Sequence, residues 1–177
     1  YAKAMPLVAQ ARVELETFSL DNGLSDRLVR KIFRDRAGFL WIGARNGLNR
    51  FDGRNFYVYD SYRAAPYHLT ADDIAAIAQL RNGKLVLAYH GKTDGIDLLD
   101  PSTGQLTPIR LPERVRMEQV LPTKTAAVFL IARQNDAYSL WRLDEAAAAF
   151  SQLAVFPADR PPGPAHADAA GNIWIAA

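Results

Sequence analysis

Few residues in this chain are equipped for bond chemistry. The 177 residues include three histidines, nineteen carboxylates and no cysteine. Thiolate nucleophiles, disulfides and cysteine-based zinc sites are therefore excluded. His68, His90 and His166 stand too far apart to form a metal-ligand motif. Neither a Gly-x-Ser-x-Gly elbow nor a His-Glu-x-x-His pair occurs. Gly91-Lys92-Thr93 ends like a phosphate loop, but Val86 occupies the place of that loop's first glycine. Glycoside hydrolysis needs two facing carboxylates, and no spacing singles out a pair. No catalytic residue, metal ligand or cofactor is assigned.

Binding chemistry is better represented. Tyr62, Tyr67 and His68 fall in one polar stretch, and Tyr89, His90 and Lys92 in another. Aromatic rings beside polar groups suit stacking on a sugar or another amphipathic ligand. The competing reading is of solvated loop residues with tyrosines folded over an edge. Charge adds a further bound: 21 basic residues against 19 acidic leave a net of +2, with no linear basic stripe for nucleic acid. An apolar share of 49% supports a folded core. The longest apolar run, residues 126–132, is strand-sized and too short to span a bilayer.

The elements that would position these residues come from an internal repeat. Gly38-Phe39-Leu40-Trp41-Ile42-Gly43, with Asp35 three residues ahead, returns as Gly171-Asn172-Ile173-Trp174-Ile175-Ala176 behind Asp168. Between them lie degenerate copies about 44 residues apart: Gly83-Lys84-Leu85-Val86-Leu87-Ala88 and Ala127-Val128-Phe129-Leu130-Ile131-Ala132. Each unit has an apolar run, the Gly-led strand, a strand closing on Asp52, Asp100 or Asp144, and a last short strand. Four short strands per unit of about 44 residues is the pattern of a β-propeller blade. Residues 70–78 and 145–149 have helical propensity, but the repeat places a strand or turn there, and propensity is the weaker signal.

The first unit resembles the two-component-regulator propeller repeat. It does so through Asn22-Gly23-Leu24-Ser25, Val29, Ile32, Asp35, Gly38 to Gly43, Asn46 to Gly53, and Phe56. The last unit matches over its first half. Ala44 replaces the family's usual threonine, and Val86 and Leu130 stand where tryptophan is expected. The resemblance implies an extracytoplasmic, periplasmic sensor domain ahead of a membrane span and a histidine kinase or diguanylate cyclase. In that setting this segment is not an enzyme and makes no membrane contact. Its implied partners are a small-molecule or oligosaccharide ligand, the rest of the propeller, and a second copy in a homodimer.

The expectation is an all-β chain, a partial β-propeller over residues 1–177 with about three and a half blades of a larger, seven-bladed ring. The blades span about 24–60, 69–110, 115–156 and an incomplete 164–177, with residues 13–20 as the outer strand of a closing blade. Trp41 and Trp174 are read as fillers between blades, and Asp35 and Asp168 as turn-formers with Gly38 and Gly171 at positive φ. Asn46-Gly47 is read as a primed hairpin turn. Asp52, Asp100 and Asp144 are likewise assigned to turns. The loops at 89–94 and 133–136 are expected to be enlarged by three residues each. They share a face with the 60–68 connection, so Tyr62, Tyr67, His68, Tyr89, His90 and Lys92 form the candidate ligand rim. Two other classes remain open: a lyase or glycosidase in the central funnel, marked by a histidine and a carboxylate from different blades, and a protein–protein scaffold.

Overall fold

The computed structural model describes residues 16–90, 95–112, 115–146, 148–157 and 159–176. Three four-stranded antiparallel meanders and a two-stranded start of a fourth follow one another. Blade one holds β1 (Val29–Arg34), β2 (Leu40–Ala44), β3 (Gly47–Phe51) and β4 (Phe56–Tyr59). Blade two holds β5 (Ile74–Gln79), β6 (Leu85–Tyr89), β7 (Gly95–Leu99) and β8 (Leu106–Arg110). Blade three holds β9 (Val115–Pro122), β10 (Val128–Gln134), β11 (Ala137–Asp144) and β12 (Ala149–Phe156). Strands β13 (Ala165–Ala167) and β14 (Ile173–Ile175) open blade four. The first strands touch one another in series, β1 to β5, β5 to β9 and β9 to β13, so they line the axis. This is the expected propeller.

Alternation along a strand explains how blades stack. In β6, Leu85, Leu87 and Tyr89 join Trp41, Leu48 and Tyr59 of blade one in one core. Their neighbours Val86 and Ala88 join Val128, Leu130 and Trp141 of blade three in another. Successive side chains point to opposite faces, so an uninterrupted apolar run serves two seams. Each Leu or Ile so buried is worth about 1.5–3 kcal/mol. That exceeds the few tenths per residue by which residues 70–78 favour a helix, and Ile74–Gln79 is accordingly a strand. Residues Glu145 and Ala146 form a turn, and Ala149 opens β12.

Polar bonds repeat along the same seams. Arg30 grips Asp73 through two bonds of 2.5 and 3.0 Å. Arg36 donates to Gln79 Oε1 at 3.1 Å and to the carbonyls of Leu80 and Arg81, and Arg81 to the Thr125 carbonyl at 3.1 Å. The Gln119 amide bridges Gly163 O and Ala165 N. These partners lie 43 to 46 residues apart, one repeat length.

Several local expectations are corrected. Residues 16–20 form no strand; Ser19 caps a 3-10 turn at Leu20–Asn22, and Phe18 packs on Phe51 and Phe56. Residues 13–15 lie outside the described residues. The β2–β3 turn is not of the primed type, because Arg45 and Asn46 are not at positive φ and the left-handed residue is Gly47 (φ 125°). The two-residue loop Arg45-Asn46 is thus unprimed and joins strands in continuous register, Ala44 pairing with Gly47. Gly47 is obligatory there, since a Cβ would sit 2.5 Å from the Tyr59 carbonyl oxygen. In blade three the glycine position is Ala126 (φ 62°), whose N–H bonds Thr123 O as Gly38 bonds Asp35 O. The tryptophan slot is therefore Phe129, not Leu130. The 133–136 loop is not enlarged: Gln134 pairs with Ala137, and the extra residues lengthen β10 and β11.

Blade one presents an uncovered face. Ile32 is 67% exposed, whereas Ile77, at the same place in blade two, is 6% exposed and packs against Gly43.

Candidate functional site

The D-x-x-G-x-x-W phrase proves to be a hydrogen-bonded unit. Asp35 Oδ1 accepts from the Phe39 N–H at 2.9 Å, and Oδ2 accepts from the buried Trp41 indole at 2.7 Å. Asp168 repeats this with the Asn172 N–H and the Trp174 indole, both at 2.9 Å. These donors hold the Asp168 carboxyl far below the ordinary carboxylate range. Trp41 fills the seam as expected, whereas Trp174 is 65% exposed in this chain. Asp52, Asp100 and Asp144 accept turn N–H groups from Arg54, Ser102 and Ala146, in keeping with turn chemistry. The repeated carboxylates are thus structural, and function must be sought where blades differ.

Three of the candidate rim residues lie in the connection from blade one to blade two. Asp60 organises it: its carboxylate accepts from the Tyr62 and Arg63 N–H groups and the Arg63 guanidinium. Ser61 is tied through its N–H and hydroxyl to Asp72. Tyr67 folds edge-on over Tyr59, with ring centroids 5.1 Å apart. His68 Nδ1 sits 3.1 Å from the Arg63 carbonyl. Pro66 lies so close to Gly104 of the β7–β8 turn that a Cβ there would approach to 2.5 Å. These contacts hold the connection in place as a strap, on which Tyr62 (90% exposed), Tyr67 and His68 all remain exposed.

Tyr89 and His90 belong elsewhere. Tyr89 ends β6, is 1% exposed, and donates its hydroxyl to Asp97. Burial, reinforced by the Asp97 charge, pushes its phenol well above the ordinary tyrosine range. Asp97, itself buried, also accepts from the Thr70 N–H at 3.0 Å and hydroxyl at 2.8 Å. Blade one has the same latch in neutral form, with Asn49 bonded to Ser25. These latches tie each incoming connection to a third strand. The Leu-Ser and Leu-Thr steps at 24–25 and 69–70 were the sequence signal for them. Lys92 lies outside the described residues.

His90 opens onto a cavity of about 320 Å³ at the loop end of the inner strands. Lys31 of blade one, His90 of blade two, and Glu118 and Gln119 of blade three reach it, with Ala165 of blade four on its wall. Its apolar floor includes Met117, Val120 and Leu121. The backbone beneath His90 is pinned, since its N–H donates to Asp73 O at 2.7 Å. Gln119 is committed to the seam with blade four, which leaves a cation, an imidazole and a carboxylate facing the space. Such a set can hold a polar ligand with one apolar face. The structure therefore separates the five described candidates into an outer strap (Tyr62, Tyr67, His68) and an axial group (Tyr89 beneath, His90 within). Lys31 and Glu118 were missed because strand alternation does not reveal which inner-strand residues reach the axis.

No known protein-family profile matches the chain. Histidine kinase P4 of Formosa agariphila is 42% identical over 57 residues, which is 32% of this chain and 4% of that protein. The extracellular domain of the putative hybrid two component system BT4673 from B. thetaiotaomicron superimposes with a TM-score of 0.62 at 19% identity, over 84% of this chain and 19% of that one. Virginiamycin B lyase from Staphylococcus aureus superimposes with a TM-score of 0.59 at 14% identity, over 83% of this chain and 48% of that one. The chain thus spans about half of the lyase and under a fifth of the two-component domain. It is an arc of a β-propeller, similar in fold to part of the extracellular domain of BT4673.

Proposed function

We propose that this arc is part of a periplasmic ligand-sensing propeller in a transmembrane signalling protein, with a histidine kinase or diguanylate cyclase as output. The observation that carries the reading is the axial cavity, where Lys31, His90 and Glu118 from three blades face a common space. A small polar molecule or a sugar bound there contacts several blades at once. Signalling follows if that molecule binds one arrangement of the sensor more tightly than another. The likeness to an extracellular two-component domain and to a histidine kinase supports this role.

The test is calorimetry on the intact protein with neutral and acidic mono- and disaccharides, alongside its phosphorylation or cyclase output. Binding of one of them with a change in output is expected, weakened in Lys31→Met and Glu118→Gln. Unchanged affinity in both variants would overturn the assignment of the cavity.

A second reading is favoured by one feature. His90 and Glu118 come from different blades and line the same cavity, as a lyase or glycosidase in the funnel would require. The shared fold with virginiamycin B lyase is compatible with it. Turnover of a bound saccharide, abolished by His90→Ala with binding retained, would replace sensing by catalysis.

A further inference from the structure

The opposite end of the axis carries a second cavity of about 430 Å³, walled by the turns that join first and second strands. Arg34 and Arg36 of blade one, Arg81 of blade two and Lys124 of blade three line it, and among the described residues no carboxylate does. Arg36, Arg81 and Lys124 occupy the same step of the repeat, one residue after the turn-opening Asp35, Leu80 and Thr123. The ion pairs among the described residues join Arg30 to Asp73, Arg45 to Asp26 and Arg63 to Asp60, so none of these four cations is neutralised by one. The nearest acid in sequence, Asp35, has its oxygens engaged by Phe39 and Trp41. Asp144 and Glu145 line a neighbouring cavity that shares Arg81.

Two of the guanidiniums are held in place before any ligand arrives. Arg36 is anchored by Gln79 Oε1 and by the Leu80 and Arg81 carbonyls, and Arg81 by the Thr125 carbonyl. A guanidinium has five N–H donors, so both keep donors to spare. The side chains of Arg34 and Lys124 make no hydrogen bond to the described residues. Fixed guanidinium forks favour planar, bidentate oxyanion recognition, and clustered like charges in a concave site attract multivalent counter-ions most strongly.

We propose that this turn-face cavity binds a small polyanion carrying two or more phosphate or sulfate groups. The site is separate from the loop-face cavity and does not depend on the sensor reading. A concave mouth at the axis, rather than a flat basic surface, favours a small molecule over a membrane.

The test is calorimetric titration of the intact protein at two salt concentrations, with inorganic pyrophosphate for phosphate and ethylene glycol bis-sulfate for sulfate. Saturable binding that weakens with salt is expected. Arg34→Gln and Lys124→Gln, at residues outside the blade seams, each weaken it about 10-fold. Arg54→Gln, a cation that does not line the cavity, leaves it unchanged. Unaltered thermal unfolding of the free variants confirms that folding is intact. Binding of neither polyanion overturns the proposal, and so does equal weakening by Arg54→Gln. Capture by phosphatidylglycerol vesicles that needs Arg34 and Lys124, with no binding of either polyanion, replaces it by a membrane-facing patch.

Discussion

Replacing Asp35 with alanine tests whether the repeated aspartate holds the blade through its tryptophan. The substitution removes two acceptors: one for the Phe39 N–H at 2.9 Å and one for the Trp41 indole at 2.7 Å. Trp41 is fully buried, so its N–H cannot turn to water. A buried donor left without a partner costs about 1–3 kcal/mol, and the lost turn bond adds about 1 kcal/mol. The expected loss is about 2–4 kcal/mol, or roughly 5–15 °C in thermal midpoint for a domain of this size. Denaturant unfolding followed by tryptophan fluorescence reads both the loss and the altered surroundings of Trp41. A loss of less than about 0.5 kcal/mol for Asp35→Ala would refute the reasoning.

Gly43→Ala places a Cβ 2.6 Å from Ile74 Cγ2 across the seam of blades one and two and costs about 1–3 kcal/mol. Trimming Ile74 to alanine, which removes Cγ2, recovers part of it in a double-mutant cycle, and additive losses would show that the contact is not the cause. Breaking the half-exposed Arg30–Asp73 pair costs no more than about 1 kcal/mol, and 1 M salt removes the difference from wild type in equilibrium unfolding. Acid unfolding follows from the turn carboxylates: the Leu28 N–H lowers Asp26, turn N–H groups lower Asp52, and the Ser102 hydroxyl lowers Asp100. Lowered carboxyls contribute fully above the ordinary value of 3.8 and lose that contribution as pH falls through their folded values. Thermal midpoints should therefore drop below about pH 4 on account of these groups, and a drop already complete at pH 5 would contradict it. The raised Tyr89 phenol works in the other direction, favouring unfolding above its ordinary value of 10.0, and Tyr89→Phe should flatten that alkaline decline.

Much of the fold was legible because a propeller writes its period into the chain. The spacing of Gly38, Gly83 and Gly171 marked the blades, and the same glycines take positive φ in the structure. The period failed where chemistry changed. In blade three threonine replaces aspartate as turn-former, with Thr123 Oγ1 accepting from the Ala127 N–H, and Ala126 replaces glycine. The apolar run therefore lies one residue out of step with the glycine-led pattern, which puts Phe129 in the tryptophan slot. The candidate site was less legible. Tyr89 belongs to an apolar run and also borders a polar loop, and only the buried bond to Asp97 decides which environment it occupies. Tyr67 and His68 remain exposed, but they sit on a strap held by the contact of Pro66 with Gly104, which joins distant parts of the chain and has no signal in the spacing.

The sequence by itself determined the blade, its four strands, its turns and the order in which they follow, since those depend on residues within one repeat. Which residues of different repeats meet was left to the tertiary structure. Lys31, His90 and Glu118 share no spacing, and Arg36, Arg81 and Lys124 are too far apart along the chain to read as a basic stripe. Stacking the blades about an axis turns a separation of one repeat length into a contact, as the bond from Arg81 to Thr125 shows. It gathers one group of side chains at the loop face and the other at the turn face. The physical reason is that burial of alternating strand faces fixes the blade-to-blade register, and that register decides which polar groups surround each end of the axis.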